Sequence, residues 1–153
     1  MGAEAGAVPT CPVCGGAWAS GLACASCRQV DGLPSGIRLT SRPRRAAEPF
    51  VEALLAIVLL YVGWLVWSLV VYRRGQSPAK QLLRMRVVVL ETRRRAGWAR
   101  MLARELPAKA LVGVAALVSF GVVLLWPLWD ERRQALWDKL VETIVVDDPF
   151  EEL

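Results

Sequence analysis

Two stretches of the chain, Ala53–Tyr72 and Ala110–Trp129, each run twenty residues without a charged side chain. At about 1.5 Å of helix rise per residue, each matches the roughly 30 Å hydrocarbon core of a bilayer. The sequence therefore predicts a multi-pass integral protein of the cell membrane with two transmembrane helices. The competing account is a buried helical hairpin in a soluble domain. Against it, 153 residues offer few other apolar elements to cover two helices that are hydrophobic all round. Trp67, Tyr72, Trp126 and Trp129 lie toward the segment ends, where amphipathic rings favour the headgroup level.

Hydrophobic residues make up 55% of the chain and charged residues 22%, so the charge must be segregated. The stretch Arg73–Lys109 carries eleven Lys/Arg against Glu91 and Glu105, whereas Asp130–Leu153 carries three basic residues against eight acids. This pattern predicts that membrane lipids are partners of the basic loop, with Arg93, Arg94 and Arg95 as its lipid-contacting residues, and that the loop is cytoplasmic. Nucleic acid is not expected, because no aromatic stacking pattern or helix-turn-helix context accompanies the arginines.

The first ten residues have neither a basic region nor an apolar one, so no cleaved leader is expected, and Gly6 stands where a myristoylation signal requires Ser or Thr. Composition shifts divide the chain into a cysteine module at 9–30, a Gly/Pro/Arg linker at 31–47, a membrane domain at 48–146 and an acidic tail at 147–153.

All four cysteines fall in two C-x-x-C pairs, Cys11/Cys14 and Cys24/Cys27. Two such turns can converge on one tetrahedral Zn²⁺, each presenting two thiolates on one side. Some twenty residues cannot bury a core unaided, and metal binding supplies folding free energy. A disulfide pair is the alternative. The expected cofactor is a structural zinc held by Cys11, Cys14, Cys24 and Cys27 in a small zinc-ribbon-like module.

Further along, Arg44-Arg45-Ala46-Ala47-Glu48-Pro49-Phe50-Val51-Glu52 precedes the first apolar run and Gly75-Gln76-Ser77-Pro78-Ala79-Lys80 follows it. Arg133-Gln134-Ala135-Leu136-Trp137-Asp138 comes after the second. Together, over about residues 38–146, these strings resemble the RDD family of bacterial inner-membrane proteins, named for one arginine and two aspartates. The resemblance implies that Arg45 (or Arg44), Glu52 in place of an aspartate, and Asp138 are the family's polar positions. Trp137 stands where many relatives place histidine, and the chain has no histidine at all.

Read from the residues, Pro49 suits a helix's first turn, which would set Glu52 one turn inside, favoured by the helix dipole. The alternative pairs Glu52 with Arg45, seven residues earlier on one helix face, in a polar membrane cluster of Arg45, Glu52 and Asp138. Glu48 serves as the unremarkable comparator. Gly97–Leu106 reads as an interfacial amphipathic helix, with Trp98, Met101, Leu102 and Leu106 on its apolar stripe and Arg100, Arg104 and Glu105 wet. Met85–Leu90 and Val141–Val146 are candidate strands. Two full spans would put these strands on opposite membrane faces, so either they do not pair or Ala110–Trp129 is re-entrant. The same count of spans puts the cysteine module outside, opposite the basic loop.

The expected fold is thus an all-α membrane domain with two transmembrane helices, an interfacial amphipathic helix and room for a short β pairing, joined to the zinc-ribbon-like module. The resemblance implies movement of an ion or small solute by a homo-oligomer. The alternative is a non-transporting membrane adaptor whose zinc module recruits a protein partner. No enzyme is expected, since no Ser–His, Cys–His or phosphate-cradling constellation is present.

Overall fold

The computed structural model describes residues 10–19, 22–119 and 121–153. The stretch before Thr10, read above for a leader and for acylation, lies outside them. The chain opens with a small hairpin, β1 (Trp18–Ala19) against β2 (Ala23–Cys24). Next come β3 (Arg38–Leu39), α1 (Arg42–Val58), α2 (Val62–Val71), α3 (Pro78–Leu82) and β4 (Met85–Val89). After β4 follow α4 (Trp98–Ala103), a π-helical turn (Arg104–Ala108), α5 (Lys109–Val118), a 3-10 segment (Val122–Leu128), α6 (Leu136–Leu140) and β5 (Thr143–Asp147).

The three longer-range strands form one antiparallel sheet in the order β3-β5-β4, with Met85 opposite Asp147 and Val89 opposite Thr143. Successive strand residues face opposite ways, and both faces are covered. Val88, Ile144 and Val146 pack under the cysteine module's Leu22, Ala23 and Val30, while Met85, Val87, Val89 and Val145 pack against Val71, Tyr72 and Met101. Gly75 makes the turn into this second layer at φ +67°. A Cβ there would sit 3.0 Å from the Val87 carbonyl and 3.1 Å from that of Ala96, so only glycine fits.

The two expected transmembrane helices are not present: among the described residues no helix is long and apolar enough to cross a membrane. Each apolar run doubles back. The first breaks at Leu60 and Tyr61, with φ of 52° and 59°, so α1 and α2 form a helical hairpin tied by Trp64 Nε1 donating to Glu52 Oε1 at 2.7 Å. The second breaks near Ser119 and Gly121, the latter at φ 80°, and the 3-10 segment returns along α5. The backbone stays satisfied through the first turn, where the amides of Leu59, Leu60, Tyr61, Val62 and Gly63 all donate to nearby carbonyls. Because both runs double back, β4 and β5 lie in one sheet, and the conflict over their pairing disappears.

Three local expectations also change. The proline at the start of α1 is Pro43, and Pro49 lies inside the helix, so Glu52 falls in the middle of α1 and gains nothing from its N-terminal dipole. The stripe expected over residues 97–106 is only partly kept: Met101 is buried, but so are Arg104 and Glu105 of the π turn, while Trp98 and Leu106 are exposed. Finally, residues 31–47 contain β3 and the start of α1.

Candidate functional site

The buried residues of α1 are Arg45, Glu48 and Glu52, spaced so that they share one face. Against this face α3 presents Lys80, α6 presents Asp138, and the π turn presents Arg104 and Glu105. A regular helix would splay two adjacent side chains by about 100°. The π turn, which contains Pro107, widens the helix there, and Arg104 and Glu105 are both buried.

Six of these groups close a ring of alternating charge. Arg45 pairs with Glu48 and with Asp138. Glu48 receives Lys80 Nζ at 2.5 Å, and Lys80 also lies 3.8 Å from Glu105. Glu105 meets Arg104 Nη1 at 2.6 Å, and Arg104 Nε returns to Asp138 at 2.6 Å. Lys109 joins from outside through Glu105. Every side chain in the ring is 0–1% exposed. In so dry a place each charge depends on its two neighbours.

Burial pushes the Glu48 carboxyl up, but Lys80 and Arg45 more than reverse this and hold it well below the usual carboxylate range. Against the same effect of burial, Lys109 and Lys80 lower Glu105, and Arg104 and Arg45 lower Asp138. These carboxylates bind fewer protons folded than unfolded. The stability they contribute is therefore fully present above about pH 4.5, the ordinary glutamate value, and is lost as pH falls through the depressed folded values. We expect the urea-unfolding free energy to decline below that pH and Glu48→Gln to flatten the decline. A wild-type profile as flat as the variant's would contradict this.

Of the three polar positions read from the sequence, the structure joins Arg45 to Asp138. Glu52 is held elsewhere, accepting from Ser77 Oγ at 2.7 Å and from the Ala79 amide at 3.2 Å, and it thereby caps α3. Sequence reading missed Glu48, Lys80, Arg104, Glu105 and Lys109. Glu48 and Lys80 lie within the resemblance strings, whereas Arg104, Glu105 and Lys109 lie in none of them.

The second site is the cysteine cluster. The four sulfurs lie within 4.8 Å of one another, with Cys11 and Cys27 at 3.6 Å and Cys14 and Cys24 at 3.4 Å. A tetrahedron of thiolates about 2.3 Å from a metal has edges of about 3.8 Å, so the donor set fits a metal ion. The turns that aim the sulfurs are closed by Gly15 donating to the Cys11 carbonyl and Arg28 to that of Cys24. The Cys27 amide draws the Cys24 thiol down to about 6. The Gln29 amide favours a Cys27 thiolate, but burial and the sulfurs of Cys14, Cys11 and Cys24 outweigh it and push that thiol up to about 12. Four thiolates crowd one another unless a cation lies between them.

Between this module and the helical body runs a cleft of about 380 Å³ lined by Arg28, Arg42, Arg132 and Arg133, with Glu131 among them. Burial and the neighbouring guanidinium groups of Arg28 and Arg42 lower the Arg133 pKa from its ordinary value. Arg93, read from sequence as a lipid contact, lies against Gly32, just after the module, while Arg94 and Arg95 are exposed beyond β4.

A sheet layered between a cysteine module and a helical body with a buried charge ring and two apolar hairpins defines the class. The RDD family matches residues 40–142. The chain belongs to the RDD family, whose members are generally membrane-associated. It is 34% identical over 106 residues to the proline-rich antigen homolog of Mycobacterium tuberculosis, in strains CDC 1551 / Oshkosh and ATCC 25618 / H37Rv. That alignment covers 65% of this chain and 42% of the relative, so the chain spans less than half the length of the curated relatives it matches. No solved structure matches it.

Proposed function

We propose that this chain is a membrane-associated adaptor of the RDD type, whose cysteine module holds one structural zinc ion and helps bind an acidic segment of a protein partner. The observation that carries the reading is the arginine-lined cleft at the edge of the module. Four arginines against one acid, Glu131, line about 380 Å³. Like charges gathered in a concave, partly desolvated place favour an anionic occupant. The zinc would hold Cys24, and with it Ala25 and Arg28, in the cleft wall.

Transport by an oligomer has one observation in its favour. The two hairpins enclose a cleft of about 300 Å³ that reaches Glu52, Glu105, Lys109 and Trp137. Against it, each carboxylate of the charge ring is already engaged by two cations or more, which suits a fixed scaffold better than a carrier.

The test is fluorescence anisotropy of a labelled Asp/Glu-rich peptide with the full chain loaded with zinc. Binding should weaken at least tenfold in Arg28→Glu/Arg132→Glu and stay unchanged in Arg74→Glu, an exposed arginine outside the cleft. Equal binding by wild type and the double variant overturns the adaptor reading. Ion flux into vesicles above the empty-vesicle leak would favour transport instead.

A further inference from the structure

We propose that the arginine cleft continues past Arg28 into a second one, and that the two together take an extended acidic peptide segment carrying one aromatic residue, which stacks on Phe150. The inference rests on the adaptor reading and names the chemistry of the partner segment. The second cleft, of about 420 Å³, is lined by Arg28, Arg38, Arg44 and Arg84, with Asp147 and Phe150 beside them. Arg28 lines both clefts, so they meet there. Together they hold seven arginines against Glu131 and Asp147, a net charge of +5. That equals the formal net charge of the whole chain, so all other charges of the protein sum to zero and its excess is gathered in this groove.

Several of these arginines are fixed in advance. Arg28, Arg84 and Arg133 stand at φ of 63°, 50° and 53°, a left-handed backbone that bulky residues avoid and that gathers at binding sites. Arg28 donates to the Leu39 carbonyl at 3.2 Å and Arg133 to that of Thr40 at 2.9 Å, while Asp147 holds Arg44 at 3.1 Å. Groups held this way lose little freedom when an anion arrives. By contrast, Arg38, Arg42, Arg84 and Arg132 are exposed and have no ion-pair partner among the described residues. Carboxylates of a partner would supply one. Two observations select a peptide over a nucleic acid. Glu131 lies in the groove, also without an ion-pair partner among the described residues. A peptide backbone brings N–H donors to such a carboxylate, whereas a phosphodiester backbone brings only like charge. The lining also holds one aromatic side chain, Phe150, 76% exposed beside Pro149, which suits a single aromatic anchor rather than the succession of stacked bases that a single strand presents.

The experiment measures fluorescence anisotropy of three labelled peptides with the zinc-loaded full chain: an Asp/Glu run alone, and the same run with a tryptophan at its first or at its last position. The tighter of the two tryptophan peptides should bind at least tenfold better than the plain run. Phe150→Ser should abolish that gain, so that all three bind the variant alike. Arg38→Glu/Arg84→Glu should weaken every peptide at least tenfold while zinc content is kept, and if that double variant loses its zinc, Phe150→Ser decides alone because the side chain it removes is exposed. A tryptophan gain that persists in Phe150→Ser overturns the proposal. Binding that depends on Arg28 and Arg132 but on none of Arg38, Arg84 and Phe150 overturns the extended groove and leaves the adaptor reading intact. Binding that does not depend on Arg28 and Arg132 overturns both. An oligothymidine that binds more tightly than every peptide at equal salt means a nucleic-acid groove and also refutes the proposal.

Discussion

Arg45→Ala is expected to remove about 3–5 kcal/mol of folding stability, the loss typical when one member of a buried ion pair is deleted and its partners stay charged. The adjacent Arg44→Ala should cost about 1 kcal/mol or less, because Arg44 is 43% exposed and pairs with Asp147 near the surface at 3.1 Å. The contrast arises because Arg45 bridges Glu48 and Asp138, so its removal strands two carboxylates in a place without water. Urea unfolding in detergent micelles measures both variants. Similar midpoints for the two would mean that water enters the ring and that it is not the core described here. The order of the glutamates follows from the same geometry: Glu48→Gln should destabilise more than Glu52→Gln. An amide at position 52 can still accept from Ser77, Ala79 or Trp64, whereas one at 48 leaves Lys80 without its nearest counter-ion.

Cys24→Ser, or chelation of the wild-type protein, is expected to unfold the cysteine module entirely. Structural zinc contributes about 10–16 kcal/mol of apparent binding free energy in small zinc-dependent folds at neutral pH, and β1 and β2 of two residues each cannot replace it. The loss should spread to the sheet, because Leu22, Ala23 and Val30 cover Val88, Ile144 and Val146. Metal analysis should give one zinc per chain in the wild type and much less in the variant. Hydrogen exchange should show lost protection in β4 and β5. Full protection after chelation would refute the dependence, and a Cys11–Cys14 or Cys24–Cys27 disulfide in the native protein would refute the metal.

The cysteine pairs and both strands were legible because each carries a local signature, C-x-x-C spacing in one case and β-branched runs in the other. The turn at Leu60 and Tyr61 was not. Neither residue is a turn former, and an uncharged run of twenty looks the same whether it crosses a bilayer or folds in half. The second run did carry a signal, since Gly121 supplies the positive φ at its bend. The ring was hidden for another reason. Lys80, Arg104 and Glu105 sit in a stretch whose eleven basic residues read as a solvated loop, and only tertiary pairing turns them inward. For Arg104 and Glu105 that required a π turn, which helical periodicity does not encode. The nearness of the basic stretch to the N-terminal region was hidden for the same cause as the hairpins: once both runs double back, Arg93 comes to rest on Gly32.

The sheet also bears on how such a chain is put in place after synthesis. Its strands come from residues 38–39, 85–89 and 143–147, so the chain returns to one platform after each hairpin. Because β5 lies between β3 and β4 in that platform, the sheet closes only when the last of its strands has been made, after both apolar hairpins.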